Sequence, residues 1–282
     1  MTIKIGILKE SVNNETRVAI VPEICQKLSG SGVEFVLQKN SGLLAGYHDS
    51  DYPDNCNFIG SSEEVLKACN VLLKVSPPLK EEVAVLKEKT VVVGFMNPFQ
   101  NKDLIKLMAQ QNIVSFSVEL IPRISRAQSM DALSSQASIA GYKSVLLAAN
   151  HSNKFFPMLT TAAGTVRPAQ TLVIGAGVAG LQAIATAKRL GSRVLAFDVR
   201  SSTKEQIESL GAKFLDTGVS AEGEGGYARE LTKDELDQQK EVLAKTISES
   251  DVVITTAAVP GKPAPKLIDE KTVKTMQPGS VI

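Results

Sequence analysis

The sequence predicts an α/β fold of two domains, each a parallel sheet with helices packed on it. Three observations carry that expectation. Short β-branched runs alternate with helical stretches from Ile3 to Thr255. A glycine turn at Gly175–Gly180 sits between one such run and a helix. The chain has 282 residues, and one domain commonly takes about 100–200.

The first series opens with a strand at Ile3–Leu8 and a helix at Pro22–Leu28. Proline at the first helical position forfeits an N–H that would have no intrahelical acceptor anyway. Val33–Gln38 is the next strand, and Ser61-Ser62-Glu63-Glu64 opens a helix whose acidic first turn suits the helix dipole. Strands follow at Val71–Val75, Val91–Phe95 and Val114–Val118, with helices near Glu81–Lys89 and Lys102–Gln111. Strands separated by helices form βαβ units, and a run such as Val91-Val92-Val93 suits a strand covered on both faces.

From about Ala127 to Asn150 the chain is rich in Ala, Ser and Leu and lacks Pro, so it reads as one long helix joining the domains. The division is expected between 1–133 and 134–282. A second series gives strands at Thr171–Ile174, Arg193–Phe197, Ala212–Leu215 and Asp251–Thr255. Thr217–Lys240 contains Glu222-Gly223-Glu224-Gly225-Gly226-Tyr227 and reads as a loop, neither packed strand nor early helix. A loop of that length in a compact domain suggests a lid. Ser280-Val281-Ile282 reads as the start of another buried strand, as in a truncated product.

Composition narrows the function. Lys plus Arg is 31 against 30 for Asp plus Glu, a net charge of +1. That excludes nucleic-acid binding driven by a basic surface. No apolar run reaches the ~18 residues of a membrane span, so no direct membrane insertion is expected. Cys25, Cys56 and Cys69 are odd in number and lack CxxC spacing, and His48 and His151 are the only histidines. No metal site is expected, and the chain reads as soluble and intracellular.

Thr171-Leu172-Val173-Ile174 runs into Gly175-Ala176-Gly177-Val178-Ala179-Gly180, and Leu181–Leu190 continues as a helix closed by Gly191. This is GxGxxG in the strand–turn–helix context it requires. Gly175 allows the tight turn, Gly177 lets backbone approach a pyrophosphate, and Gly180 lets helix and strand pack closely. The next strand ends at Phe197-Asp198, placing a carboxylate to accept from ribose hydroxyls. Asp198 favours NAD over NADP by repelling a 2′-phosphate, while Arg200 softens that preference. A Rossmann-type dinucleotide site follows.

Arg123-Ile124-Ser125-Arg126-Ala127-Gln128-Ser129-Met130-Asp131-Ala132-Leu133-Ser134-Ser135-Gln136 resembles the signature segment of the NAD(H)-binding component of proton-translocating, Si-specific NAD(P) transhydrogenases. The likeness extends through Ala140-Gly141-Tyr142, the glycine turn, Phe197-Asp198-Val199-Arg200, Gly226-Tyr227-Ala228 and Thr255-Thr256-Ala257 with Pro260–Pro265. Gly6–Glu10 and Arg17-Val18-Ala19 also fit. The resemblance implies two Rossmann-like domains around a cleft, with a last stretch that completes the first domain and lies beyond Ile282. It implies that Arg123, Asp131 and Ser134 position the nicotinamide carboxamide and that Gln128 reaches toward the second nucleotide. Ile124, Ser125, Arg126, Ala176, Val178 and Val199 fall among the family's nucleotide contacts. Gly226 and Tyr227 match a mobile loop that closes over nucleotide, and Gln239 and Ala258 match contacts on the adenosine and ribose side. NAD(H) would bind here and NADP(H) on a membrane-embedded partner subunit, with this chain docked as a homodimer. The setting would be the cytoplasmic face of a bacterial inner membrane, or its mitochondrial or organellar equivalent.

Alanine dehydrogenases share this plan and are the alternative. Amino-acid deamination moves protons as well as a hydride and needs an acid/base group near the amine. By resemblance, Arg17 and Lys74 stand where that family has its arginine and lysine. Val93-Gly94-Phe95-Met96-Asn97-Pro98-Phe99 lacks the histidine that follows its next strand. Hydride transfer between two nicotinamides asks only for apposition, which positioning can supply. A non-catalytic NAD-binding regulatory module would keep the glycine turn and Asp198 without needing Arg123, Gln128 and Asp131.

Overall fold

The computed structural model describes residues 2–221, 229, 231–258 and 264–282. The chain divides into two compact units, 1–133 and 134–282. The first holds β1 (Ile3–Ile7), α1 (Pro22–Leu28), β2 (Val33–Gln38), β3 (Cys56–Ile59), α2 (Ser62–Ala68), β4 (Val71–Leu73), α3 (Lys80–Val85), β5 (Val91–Gly94), α4 (Lys102–Gln110) and β6 (Val114–Ser117). Its sheet is parallel throughout, in the order β3-β2-β1-β4-β5-β6. The order reverses between β1 and β4, the place where open α/β sheets bind ligands beyond their strand C-termini.

The interior follows from two-faced burial. Ile7, Phe35 and Leu37 pack with Cys25 of α1 on one face, while Val36, Leu72 and Val92 pack with Val65, Val83 and Met108 on the other. Ser61 caps α2 by accepting from the Glu64 N–H at 3.4 Å. Helix α3 ends at Val85 rather than running to Lys89, whose φ of +65° is left-handed and incompatible with helix.

The second unit holds most of α5 (Ala132–His151), a hairpin of β7 (Leu159–Thr161) and β8 (Gly164–Val166), then β9 (Gln170–Ile174), α6 (Val178–Arg189), β10 (Arg193–Phe197), α7 (Lys204–Ser209), β11 (Lys213–Phe214), α8 (Lys233–Ser248), β12 (Val252–Thr255) and α9 (Glu270–Val273). Its parallel sheet has the order β11-β10-β9-β12, so the glycine turn after β9 lies at the reversal. Val145 and Ala148 of α5 and Ala183, Ile184 and Ala187 of α6 cover one face. Leu243 and Ile247 of α8 cover the other.

Three expectations need correction here. The helix expected from Ala127 begins at Ala132; Ser125–Met130 is a 3₁₀ turn, and Asp131 leaves helical geometry at ψ 79°. The segment read as loop through Lys240 becomes helix at Lys233. Thr232 and Glu235 form a capping box that outweighs the preceding glycines, each side chain accepting from the other residue's N–H. At the chain end the strand start is present, since Val281 bridges Val252 in parallel and packs on the core, but Ile282 is 58% exposed where a buried residue was expected.

Candidate functional site

The glycine turn is held by its strand neighbours. Gly175 has φ +102°, which only glycine adopts readily, and its N–H donates to the Phe197 carbonyl at 2.7 Å. A Cβ on Gly180 would collide with the Gly175 carbonyl oxygen, so the third glycine is a packing requirement. Gly177 differs: it caps α6 at φ −75°, and a Cβ there would meet no atom within 4 Å. Its absence keeps open the approach to the first N–H groups of α6, which have no intrahelical acceptor. Thr256, at the end of β12, donates its hydroxyl to the Gly175 carbonyl at 3.1 Å. Sequence reading assigned Thr256 no role; a hydroxyl residue ending the strand beside a glycine turn was the available signal.

Asp198 lies across the turn, 7% exposed. Its Oδ2 accepts from the Ala176 N–H at 2.7 Å, and Arg200 grips both its oxygens at 2.8 Å. Burial alone would raise its pKa; hydrogen bonds from the Arg200 side chain and from the Ala176 and Arg200 N–H groups outweigh it and hold the carboxyl below the usual range. Val199, the next residue, accepts at its carbonyl from the Ala221 N–H at 2.7 Å. On α8, Gln239 is buried, and its Oε1 finds no donor among the described residues. A buried acceptor without a donor is costly and stands ready for one. Ala258 is exposed beyond β12. Thus Gly175, Ala176, Gly177, Gly180, Asp198 and Arg200 converge at the strand C-termini of the second unit. Gly226 and Tyr227 lie outside the described residues.

In the first unit, Arg123 and Asp131 bracket the 3₁₀ turn as an ion pair at 3.6 Å. Ala127 is the buried anchor of that turn, while Ile124, Ser125, Arg126 and Gln128 are exposed on it. Ser134 opens α5 in the second unit, with Tyr142 on the same side two turns on.

The first unit also contains a cavity of about 300 Å³, lined in part by Arg17, Ser76, Asn97 and Glu119. The charged groups in and beside it are already engaged. Glu10 accepts from the Val75 and Ser76 N–H groups, Glu119 from that of Met96, and Arg17 holds Glu15 through Nε and Nη2 at 2.9 and 2.7 Å. Lys74 is fully buried on a bidentate bond to Glu82. Burial pushes the Cys25 thiol up to about 12 and that of Cys69 to about 11, so both are packed rather than reactive. Among the described residues, no helix is long and apolar enough to cross a membrane, and no cluster of His, Cys, Asp or Glu is placed to hold a metal ion.

Comparison with known proteins covers both units. Residues 6–140 match the alanine dehydrogenase/PNT N-terminal domain and residues 144–282 the C-terminal domain. An NAD(P) transhydrogenase alpha subunit of Rickettsia prowazekii is 46% identical over 287 residues, covering 99% of this chain and 75% of that one. The Rhodospirillum rubrum counterpart is 44% identical over 290 residues, covering 99% and 76%. The crystal structure of transhydrogenase from Sinorhizobium meliloti superposes with a TM-score of 0.86 at 42% identity, over 99% of this chain and 77% of that one. Alanine dehydrogenases stand farther off, at 27% identity for that of Methanococcus maripaludis over 99% of this chain and 70% of that one. The chain therefore belongs to the alanine dehydrogenase/PNT family, with NAD(P) transhydrogenase alpha subunits as its nearer relatives.

Proposed function

We propose that this chain is the NAD(H)-binding component of a proton-translocating transhydrogenase, passing hydride between NADH and NADP⁺ held by a partner subunit. The observation that carries the reading is the pairing of a complete dinucleotide turn with a first unit whose candidate acid/base groups are tied up. The second unit suits a dinucleotide: Gly177 leaves room at a helix N-terminus, Asp198 faces the turn, and the buried Gln239 oxygen awaits a donor such as an adenine amino group. The bound nicotinamide supplies the hydride. Arg123, Asp131 and Ser134 orient its carboxamide end, Gln128 faces the second nucleotide, and Ala258 lies on the ribose side.

Amino-acid oxidation is less well served. Lys74 is locked to Glu82 and Arg17 to Glu15, and Phe95–Phe99 contains no histidine. A substrate carboxylate would meet cations already neutralised and a cavity carrying Glu119.

Docking on a membrane-embedded subunit would hold the chain at the inner-membrane surface. Exposed Ile139, Tyr142 and Leu147 on α5, with Phe155 and Met158 before the hairpin, support self-association as a homodimer. The test is rapid mixing of NADH-loaded chain with an NADP⁺-loaded partner subunit. Gln128→Asn, on an exposed turn, should keep NADH affinity and fold stability while slowing transfer strongly. Parental transfer by that variant would remove Gln128 from the mechanism, and NADH oxidation that requires pyruvate and ammonia would favour the dehydrogenase reading.

A further inference from the structure

Asp198 is the group best placed for ribose hydroxyls, yet its acceptor capacity is fully used. Oδ1 accepts from the Arg200 N–H at 2.9 Å and from Arg200 Nε at 2.8 Å. Oδ2 accepts from the Ala176 N–H at 2.7 Å and from Arg200 Nη2 at 2.8 Å. An ionised carboxylate offers about four lone-pair positions, and these donors fill them. Two are backbone groups fixed by the glycine turn and by the end of β10. The other two belong to one guanidinium, on a side chain that is 21% exposed and so has solvent to move into. A ribose diol can reach Asp198 only through the positions that guanidinium holds.

We propose that Arg200 is the specificity-determining residue of the ribose subsite, capping Asp198 in the ligand-free chain and swinging aside to admit the sugar. The proposal rests on the NAD(H) reading of the second unit and adds a direction to it. Opening the Arg200–Asp198 fork opposes binding, so Arg200 lowers NADH affinity. Once displaced, its planar cation stays beside the 2′ position, where it can pair with phosphate oxygens in the same forked manner. Arg200 therefore narrows the preference for NADH over NADPH from both sides. Asp198 supplies the preference and Arg200 tempers it.

The experiment is fluorescence titration of the full 282-residue chain with NADH and NADPH, for the parent, Arg200→Ala and Arg200→Lys. Arg200→Ala should bind NADH about threefold or more tightly and NADPH about tenfold more weakly, the scale of one charge-assisted hydrogen bond gained or lost. Lysine keeps a cation but cannot fork onto the carboxylate. Arg200→Lys should therefore gain NADH affinity while keeping NADPH affinity near the parental value. A structural role alone would weaken both nucleotides together. Should Arg200→Ala not fold, the lysine variant carries the test. A parent that binds neither nucleotide would overturn the NAD(H) reading and the proposal with it. A parent that binds NADH, with both variants matching its two affinities, would overturn the role of Arg200 alone.

Discussion

Lys74 Nζ lies 3.0 and 2.9 Å from the two carboxylate oxygens of Glu82, with the lysine side chain wholly removed from solvent. Glu82 also accepts from the Leu79 N–H at 2.8 Å, capping α3. Removing one partner of a buried pair strands the other charge, so Glu82→Ala should cost about 3–5 kcal/mol of unfolding free energy. Lys74→Met should cost less, because Glu82 keeps its cap and some solvent, and should leave hydride transfer intact. Chemical denaturation gives the first comparison. A Lys74→Met variant that folds but cannot transfer hydride would return Lys74 to the mechanism.

Gly177 and Gly180 are one motif in sequence but two kinds of site. A methyl group at Gly180 meets the Gly175 carbonyl oxygen, whereas one at Gly177 meets open space. Gly180→Ala should lose about 1–3 kcal/mol by overpacking. Gly177→Ala should melt like the parent yet lose most of its NADH affinity, because its methyl group fills the room left for phosphates. Thermal melts beside NADH titrations separate the two effects, and equal stability losses would contradict the distinction.

Asp198 makes stability depend on acid. Its folded-state pKa is depressed below the ordinary 3.8. The stabilisation is therefore fully present above that value and is lost as pH falls through the lower folded one. The stability gap between parent and Asp198→Asn should be constant from pH 7 to about pH 5 and shrink below about pH 4. Parallel acid-denaturation profiles would show that Asp198 gains nothing from its partners.

Gln239 holds a buried oxygen without a donor among the described residues. Gln239→Leu removes that penalty, so stability should hold or rise by up to ~1 kcal/mol. NADH should bind about fivefold more weakly, the value of one neutral hydrogen bond. Unchanged affinity would assign Gln239 to packing.

Central strands were readable because burial on both faces makes them continuous apolar runs: Val33–Gln38 and Arg193–Phe197 appear with the bounds the sequence suggests. Some edge elements were not, although the edge strands Val114–Ser117 and Val252–Thr255 fall inside runs the sequence suggests. Strand β3, Cys56–Ile59, pairs on one side only and has no fully buried residue, and the β7–β8 hairpin is mostly solvent-facing. Helix α8 was masked by the glycines and acids before it, although Thr232 and Glu235 already spelled a capping box. At the candidate site, glycine spacing and a carboxylate ending the next strand were legible as pattern. The Arg200 fork on Asp198 was not, since it depends on side-chain direction after a bend.

The proposed reaction is direct hydride transfer between two nucleotides without exchange with water. NADH carrying deuterium at the transferred C4 position, mixed in single turnover with the chain and NADP⁺-loaded partner subunit, tests it most directly. Deuterium should appear in the NADPH formed and not in solvent, with no requirement for an amino or oxo acid. Loss of the label to water, or transfer only when pyruvate and ammonia are present, would contradict it.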